Sequence, residues 1–366
     1  MSEIICKGCG GIMDTTGIPP FTVCECSACQ TEVAIPFELD YLMLEKYVDR
    51  ISALDVYEGF DTSITTISRI VVLDNDVPQA KEFLEIAKEE GELLSTLKHP
   101  NICPLMARDL ILGNYCAVQP LLDGYLLSDY NPETQGLLDV EKVLDVLHAA
   151  ALGLAVAHHK DITHHNVCPK NISIDARGNV RVVDYFLSRF VYQADQITAK
   201  GNDVIKYDPS VDPYFISPEK AESGIEDKRG DVFSFGVTMY YMLTGQYPFV
   251  GSNVLETVYS RVRKIKKRDE VFNAAATSVI TPDTVAYTPP KNPKKLREDI
   301  PKEIADLVMD CLSYLPVKRP TLSEIITIFN LYKAEMAKQE TVVAAQIEMV
   351  TTKTRAIPKM GKLGKK

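Results

Sequence analysis

The stretch His164-His165-Asn166-Val167-Cys168-Pro169-Lys170-Asn171 is a polar segment between two strongly patterned regions. The preceding residues 143–157 are almost all apolar, which predicts a long buried helix. The following residues 172–175 and 180–184 have the composition of two strands, and the turn 176–179 between them contains Gly and Asn, which favour a tight reversal. The sequence therefore predicts a helix, a polar loop and a β-hairpin in that order.

The open end of this hairpin carries two oxygen-bearing side chains. Counting outward from the turn, Asn171 pairs with Asp184. An amide oxygen and a carboxylate would then lie side by side, and hard oxygen donors of this kind suit Mg²⁺. We therefore expect a magnesium site next to the polar loop.

An amphipathic helix is predicted earlier in the chain, over residues 80–98. Glu90 lies on its apolar stripe, which also contains Phe83, Ile86, Leu94 and Leu97. A buried carboxylate needs a cationic partner, and Arg69, in the strand-like run 63–73, is the candidate. A slight rotation of the helix would instead leave Glu90 in water, so both interpretations stay open at this stage.

These segments resemble the motifs of eukaryotic-like serine/threonine protein kinases, and the resemblance extends from Tyr41 to about Lys333. Residues 90–102 resemble the αC helix and the turn after it, and residues 164–171 resemble the catalytic loop H-R-D-L-K-P-E-N. Further motifs follow in family order: Asp184-Tyr185-Phe186 for Asp-Phe-Gly, Phe215-Ile216-Ser217-Pro218-Glu219 for the end of the activation segment, residues 231–249 for the αF helix and its turn, and Lys318-Arg319-Pro320-Thr321 for the late R-P-T motif.

The resemblance implies an α+β, bilobal protein-kinase fold over residues 41–333, with a small β-rich lobe that carries the αC helix and a large helical lobe. It implies an ATP site with Mg²⁺, formed by Val56, Arg69, Glu90, Gln119, Leu121, Asn171 and Asp184. It also implies two structural anchors: an ion pair between Glu219 and Arg319, and Asp231 bracing the catalytic loop.

Several departures from the family remove parts of the phosphotransfer machinery. Asn166 stands where the family has the aspartate that acts on the substrate hydroxyl, and Cys168 replaces a lysine that neutralises the transferred phosphate. The glycine positions of the phosphate loop are Asp49, Ile51 and Leu54. The strand lysine is replaced by Arg69, and the glycine after Asp184-Tyr185 by Phe186.

The departures favour a pseudokinase that acts as a scaffold or an allosteric signalling partner. The alternative is an ATP-dependent serine/threonine kinase of low activity with an atypical site, and a different transferase chemistry on the same fold is a third interpretation.

The first 36 residues contain a separate signature. Cys6, Cys9, Cys26 and Cys29 form two C-x2-C pairs, the spacing of a closed four-thiolate zinc site, so a small zinc ribbon is predicted over residues 1–36. Cys24 is left outside the predicted site because a C-x-C pair bends less well around one ion. Disulfides are the alternative, but nothing else in the sequence indicates an oxidising compartment.

The 366-residue chain has a net charge of -10, which disfavours a general nucleic-acid binder. It has no apolar run long enough to cross a bilayer and no leader pattern, so we expect a cytoplasmic protein that works through protein partners. Residues 334–366 are predicted to be a helical extension with a basic disordered tail, which either aids solubility or contacts an acidic surface.

Overall fold

The computed structural model describes residues 3–62, 66–198, 210–251, 257 and 289–355. Residues 3–34 form two hairpins, β1 (Glu3–Ile5) with β2 (Ile12–Asp14) and β3 (Val23–Glu25) with β4 (Glu32–Ala34). Their shared core is small: the buried residues are Ile4, Cys6, Cys26, Val33 and Ile35. Such a core cannot supply much folding free energy by itself.

A six-stranded antiparallel sheet follows, in the order β5-β6-β7-β8-β10-β9. Its strands are β5 (Phe37–Leu39), β6 (Leu42–Ile51), β7 (Leu54–Asp61), β8 (Ile67–Leu73), β9 (Ala107–Ile111) and β10 (Asn114–Pro120). Because β5 pairs with β6, the small lobe begins at Phe37, four residues before the predicted boundary.

Helix α1 (Ala80–Ser95) packs against this sheet and corresponds to the helix predicted over residues 80–98, ending three residues earlier. Glu90 is buried on its inner face, as the apolar stripe predicted, so the interpretation in which this carboxylate faces water is wrong. The apolar periodicity therefore predicted the correct face of the helix, and only the tertiary structure shows which cation pairs with the Glu90 carboxylate.

The large lobe consists mainly of helices. In the described residues these are α2 (Pro132–Gln135), α3 (Val140–His159), α4 (Tyr185–Thr198), α5 (Pro218–Ser223), α6 (Lys228–Thr244), α7 (Lys302–Cys311) and α8 (Leu322–Arg355). Helix α3 contains the predicted buried segment 143–157, and α8 extends through residues 334–355. The rest of the predicted basic tail, residues 356–366, lies outside the described residues. No described helix is both long and apolar enough to span a bilayer.

The predicted hairpin is present as β12 (Ile172–Asp175) and β13 (Val180–Val182), with β11 (Gly124–Leu126) on its outer side. Its register differs by one residue from the prediction. Ile172 pairs with Val182, and Asn171 accepts a hydrogen bond from Val183, not from Asp184. The reason is that the Asp175 amide donates to the carbonyl of Asn179 at 3.0 Å, so the turn contains three residues, 176–178, and not four. The Asp175 carboxylate closes this turn by accepting from the backbone amides of Arg177 and Asn179.

Helix α4 starts directly after Asp184, in a segment for which the sequence predicted no helix. Asp184 has a φ of 63°, a left-handed conformation that aspartate adopts more readily than most residues. The chain thus turns sharply at Asp184 and continues as a helix that buries Tyr185, Phe186 and Phe190 in the core. The helix packs against α1 across the two lobes.

Both predicted structural anchors are confirmed. The Arg319 guanidinium donates to the Glu219 carboxylate through two parallel contacts of 2.6 and 2.7 Å, and also to the carbonyls of Ser313, Tyr314 and Arg229. Its side chain is fully buried. Bidentate pairing with every remaining N–H satisfied is the arrangement in which a buried ion pair holds a fold in one conformation.

Truncation of this anchor tests its importance. Arg319→Ala leaves the Glu219 carboxylate and three carbonyls without their donor, so we expect the free energy of unfolding to fall by about 3–5 kcal/mol in urea denaturation. Lys302→Ala is the matched control, because the Lys302 ammonium is 77% exposed and 3.7 Å from Asp306; it should cost less than about 1 kcal/mol. Equal losses in the two variants would contradict the anchor role.

Candidate functional site

One buried carboxylate anchors the backbone of the polar loop, residues 164–171. Asp231, at the start of α6, accepts hydrogen bonds from the amides of His164 (2.7 Å) and His165 (2.9 Å) and from His158 Nε2 (2.8 Å). Burial alone would raise the pKa of Asp231, but the hydrogen bond from His158 and the nearby histidines lower it to about 2. The carboxylate is therefore charged at neutral pH and fixes the loop that carries Asn166.

A cavity of about 490 Å³ opens above this loop. Four predicted catalytic or metal-binding residues line it together: Asn166, Cys168, Asn171 and Asp184. Two of the predicted phosphate-loop positions, Asp49 and Ile51, line it from the small lobe. The structure therefore brings the proposed phosphate end of the cleft into one space, although α4 also contributes Leu187, Ser188 and Val191 to its wall.

The predicted ion pair between Arg69 and Glu90 is wrong. Arg69 Nη1 instead donates to Asp184 Oδ1, which joins the small-lobe sheet to the end of the hairpin. Glu90 is paired with Arg189 of α4 through both of its carboxylate oxygens. Arg189 Nε donates to Glu90 Oε2, and Arg189 Nη2 donates to Glu90 Oε1 at 2.9 Å. The two expected partners are each bound to something else.

The reason for the exchange is the helix that follows Asp184. Arg189 lies five residues after Asp184, and helical backbone carries its side chain into the space beside α1, where its Nη1 also donates to the carbonyl of Thr163 at 2.7 Å. Strand β8 (ISRIVVL) contains one basic residue, Arg69, and its guanidinium is bound to Asp184. Strand β8 therefore supplies no cation to Glu90.

The catalytic-loop side chains are fixed by their neighbours. Asn171 Nδ2 donates to the carbonyl of Asn166 at 2.7 Å, which leaves the Asn171 amide oxygen for other ligands. Asn166 Nδ2 is 3.5 Å from the carbonyl of Ser210, a long hydrogen bond. Cys168 is buried, and burial raises the pKa of its thiol to about 12. A thiol in this state is a poor nucleophile at neutral pH.

The residues predicted to contact the nucleotide base are placed away from the cavity wall. Val56 is fully buried in the core shared by the two lobes, and Gln119 is buried opposite Arg69 in the β8–β10 pairing. Leu121 follows β10 and is 40% exposed. Their contact with a nucleotide stays a prediction.

Residues 55–328 match the sequence profile described as the protein kinase domain. The chain belongs to the protein kinase family. This kinase-family chain is similar to a solved structure, the PknI kinase domain of Mycobacterium tuberculosis, with a TM-score of 0.55 and 17% identity, covering 80% of this chain and 96% of that one. At this identity the likeness supports the fold alone.

Curated relatives are named serine/threonine-protein kinases. Over 203 residues the chain is 28% identical to PrkC of Bacillus subtilis, covering 55% of this chain and 30% of that protein. Over 207 residues it is 30% identical to PknL of Mycobacterium tuberculosis, covering 57% of this chain and 50% of that protein. The chain thus spans half or less of the length of these two relatives.

Helix α4 contributes contacts next to the candidate site that were not predicted from the sequence. Besides Arg189, the ring of Tyr192 stacks on His165 with 3.6 Å between centroids, and its hydroxyl contacts the backbone of Glu226. The buried carboxylate of Glu226 accepts from Lys220 at 3.0 Å. The signal from which this helix could have been predicted is the apolar spacing of Phe186, Phe190 and Ala194 at intervals of four residues.

The four predicted zinc ligands also come together. The Sγ atoms of Cys6, Cys9, Cys26 and Cys29 all lie within 4.8 Å of one another, whereas Cys24 is not part of the cluster. Cys6 and Cys29 are 3.5 Å apart and Cys9 and Cys26 3.7 Å. Sulfurs at about 2.3 Å from a tetrahedral Zn²⁺ lie about 3.8 Å apart, so the donor set fits that ion.

The hydroxyl of Tyr185, at the family's phenylalanine position, is buried and has no hydrogen-bond partner among the described residues. A buried unsatisfied hydroxyl costs about 1–3 kcal/mol, so Tyr185→Phe should raise the free energy of unfolding by about 1 kcal/mol in thermal or urea denaturation. Tyr125→Phe, at a half-exposed ring, is the control and should change it by less than about 0.5 kcal/mol. A loss of stability in Tyr185→Phe would mean that the hydroxyl has a partner.

Proposed function

We propose that this protein is a pseudokinase, a protein of the kinase fold that acts through binding as a scaffold or an allosteric partner. The observation that carries the proposal is a change of ion-pair partners. The Arg69 guanidinium pairs with the Asp184 carboxylate and not with Glu90, and Arg189 pairs with Glu90. A carboxylate that is neutralised by a guanidinium is a poor ligand for Mg²⁺, because the two cations compete for the same oxygens.

The missing general base supports the same proposal. Asn166 stands at the catalytic position, and a neutral amide cannot accept a proton from a substrate hydroxyl at neutral pH. Loss of a general base typically lowers a rate by about 10²- to 10⁴-fold. Asp231 holds the loop backbone in place even so, which supports retention of the shape without the base.

The phosphate side of the cavity is also unfavourable to a triphosphate. Asp49 contributes a negative charge to the wall, and the side chains of Ile51 and Leu54 stand where glycines would allow the backbone to approach phosphate oxygens. Asp184 is the second carboxylate of the same cavity. ATP with Mg²⁺ can be held only after Arg69 releases Asp184.

The alternative function is a serine/threonine kinase of low activity. It is favoured by the names of the curated relatives and by the common cavity that Asn171 and Asp184 line. In that case the described arrangement is a resting state, and Asn171 and Asp184 would hold the metal of a bound nucleotide.

We also propose that the cysteine cluster holds a structural zinc ion, through Cys6, Cys9, Cys26 and Cys29. Thr31 supports the thiolate state, since its hydroxyl and amide lower the pKa of the Cys29 thiol to about 6. A closed four-sulfur shell leaves no open position for catalysis, so the ion would serve folding.

The proposal also includes a cytoplasmic location and protein partners. The basic tail would dock to an acidic surface, and the chain would bind no specific nucleic acid.

A phosphotransfer assay separates the two functions. With radiolabelled ATP and Mg²⁺ or Mn²⁺, we expect the chain to transfer no more γ-phosphate to itself or to a generic protein substrate than the Asp184→Ala variant does. The physical reason is that the base is absent and the metal ligand is neutralised. Transfer that exceeds the background and disappears in Asp184→Ala would refute the pseudokinase proposal.

A thermal-shift titration with MgATP tests the role of Arg69 at Asp184. We expect little shift for the unmodified chain at millimolar nucleotide. Arg69→Ala, which frees the Asp184 carboxylate, should show a larger Mg²⁺-dependent shift, because ligand that binds only the folded state raises its stability. Lys170→Ala, an exposed cation at the same cavity, is the control.

Metal analysis tests the zinc centre. The purified chain should contain one zinc ion, and a Cys6→Ser, Cys29→Ser double variant should lose it, because each thiolate supplies one of four bonds. Cys24→Ser should keep the metal. Zinc loss in Cys24→Ser, or a folded ribbon without metal in the unmodified chain, would contradict this assignment.

A further inference from the structure

The zinc ribbon is joined to the kinase lobe by a very short connection. Ile35 is buried in the ribbon core, and Phe37 already begins β5 of the six-stranded sheet. Only Pro36 separates the two units, and its ring restricts the backbone at that point. Leu39 at the end of β5 is buried in the outer core of the lobe. The ribbon therefore has little freedom to move independently of the sheet.

Both halves of the ribbon contact the hairpin of β6 and β7, residues 42–61, which we call the roof hairpin. In the first half, Lys7 lies between two zinc ligands and its Nζ is 2.6 Å from Glu45 Oε1 on β6. Exposed ion pairs of this kind contribute little by themselves. The pair nevertheless places the segment between Cys6 and Cys9 against the roof hairpin.

The second half makes an aromatic contact. Phe21 stacks on Tyr57 of β7 with 5.6 Å between ring centroids, and Tyr47 of β6 meets the same ring edge-on at 5.5 Å. Phe21 has a φ of 63°, an uncommon conformation for a bulky residue. Its amide donates to the carbonyl of Ile35 at 2.6 Å, so the folded ribbon holds this backbone in place.

The roof hairpin also forms part of the cavity. Asp49 and Ile51, at the end of β6, line the space that contains Asn166 and Asp184. On β7, the strand that carries Tyr57, Val56 points to the opposite face and is buried in the core between the lobes. A change in the order of this hairpin therefore changes the wall of the candidate site.

Folding of the ribbon depends on its metal. Two of its five buried core residues are the ligands Cys6 and Cys26, and a core this small is not stable without a cross-link or an ion. Loss of zinc would unfold the ribbon and remove the support that holds Phe21 in its left-handed conformation. The stack on Tyr57 and the Lys7–Glu45 pair would be lost together.

We propose that zinc occupancy of the ribbon controls the order of the roof hairpin, and through it the shape of the kinase-like cleft. The link runs from the four thiolates through Phe21 to Tyr57 and then to the cavity wall at Asp49. This inference rests on the zinc centre proposed above, and it is independent of whether the cleft transfers phosphate. The ribbon is then an intramolecular brace whose effect depends on metal supply.

Hydrogen exchange measured by mass spectrometry on the full chain tests this coupling. Phe21→Ala should keep its zinc but increase exchange of the roof hairpin, residues 42–61, by about threefold to tenfold, the fold-change that loss of one aromatic stack implies. Removal of zinc with a chelator should increase it at least as much. Exchange of α6, residues 228–244, should not change in either sample.

Ile12→Ala is the matched control, because Ile12 is a ribbon side chain that is 73% exposed and takes no part in the aromatic contact. It should leave exchange of the roof hairpin unchanged. If chelation removes the zinc and exchange of the roof hairpin does not change, the coupling is overturned, whereas the proposal that the four cysteines bind zinc still stands. A purified chain without zinc overturns the zinc centre and the coupling together. Neither result bears on phosphotransfer.

Discussion

The buried carboxylate of Glu90 is the constraint around which the centre of the molecule is arranged. It lies on the inner face of α1, where desolvation would be costly without a cation, and Arg189 satisfies both of its oxygens. Because Arg189 belongs to α4, this pair joins the small lobe to the large lobe. Arg189 reaches Glu90 because α4 begins immediately after Asp184, and Arg69 pairs with Asp184 instead. The two ion pairs around Glu90 and Asp184 thus depend on one helix.

The chemical losses and the geometry support the same proposal, that of a pseudokinase, by separate routes. The identities of Asn166 and Cys168 remove groups that act on the transferred phosphate, whatever the conformation. The ion pairs engage Asp184 and Glu90, which the sequence retains. The polar groups that maintain the shape are meanwhile fully satisfied: Asp231 braces the loop, and Arg319 has partners on all sides. Such a combination favours a molecule that keeps a kinase surface for binding.

The ribbon extends this picture to the outer side of the small lobe. It leads directly into β5 of the sheet and places the ring of Phe21 against Tyr57, in one of the strands that roof the cavity. The proposed pseudokinase would transmit signals only through changes in the shape or order of its surfaces, since it would have no product to release. The proposed metal-dependent brace on the roof of the cleft is one physical means of producing such a change.

The sequence by itself determined the order of the kinase motifs, the apolar stripe of α1 on which Glu90 lies, the two cysteine pairs and the absence of a base at Asn166. These features are written in residue identity, spacing and periodicity, which act locally. Only the tertiary structure decided which charges meet, because Arg189 and Glu90 are 99 residues apart in the chain and both Arg69 and Arg189 were available cations. The hairpin register likewise depended on a turn that is one residue shorter than the predicted turn over residues 176–179. The ion pairs depend on where the helices place their charged side chains, and α4 places Arg189 beside Glu90.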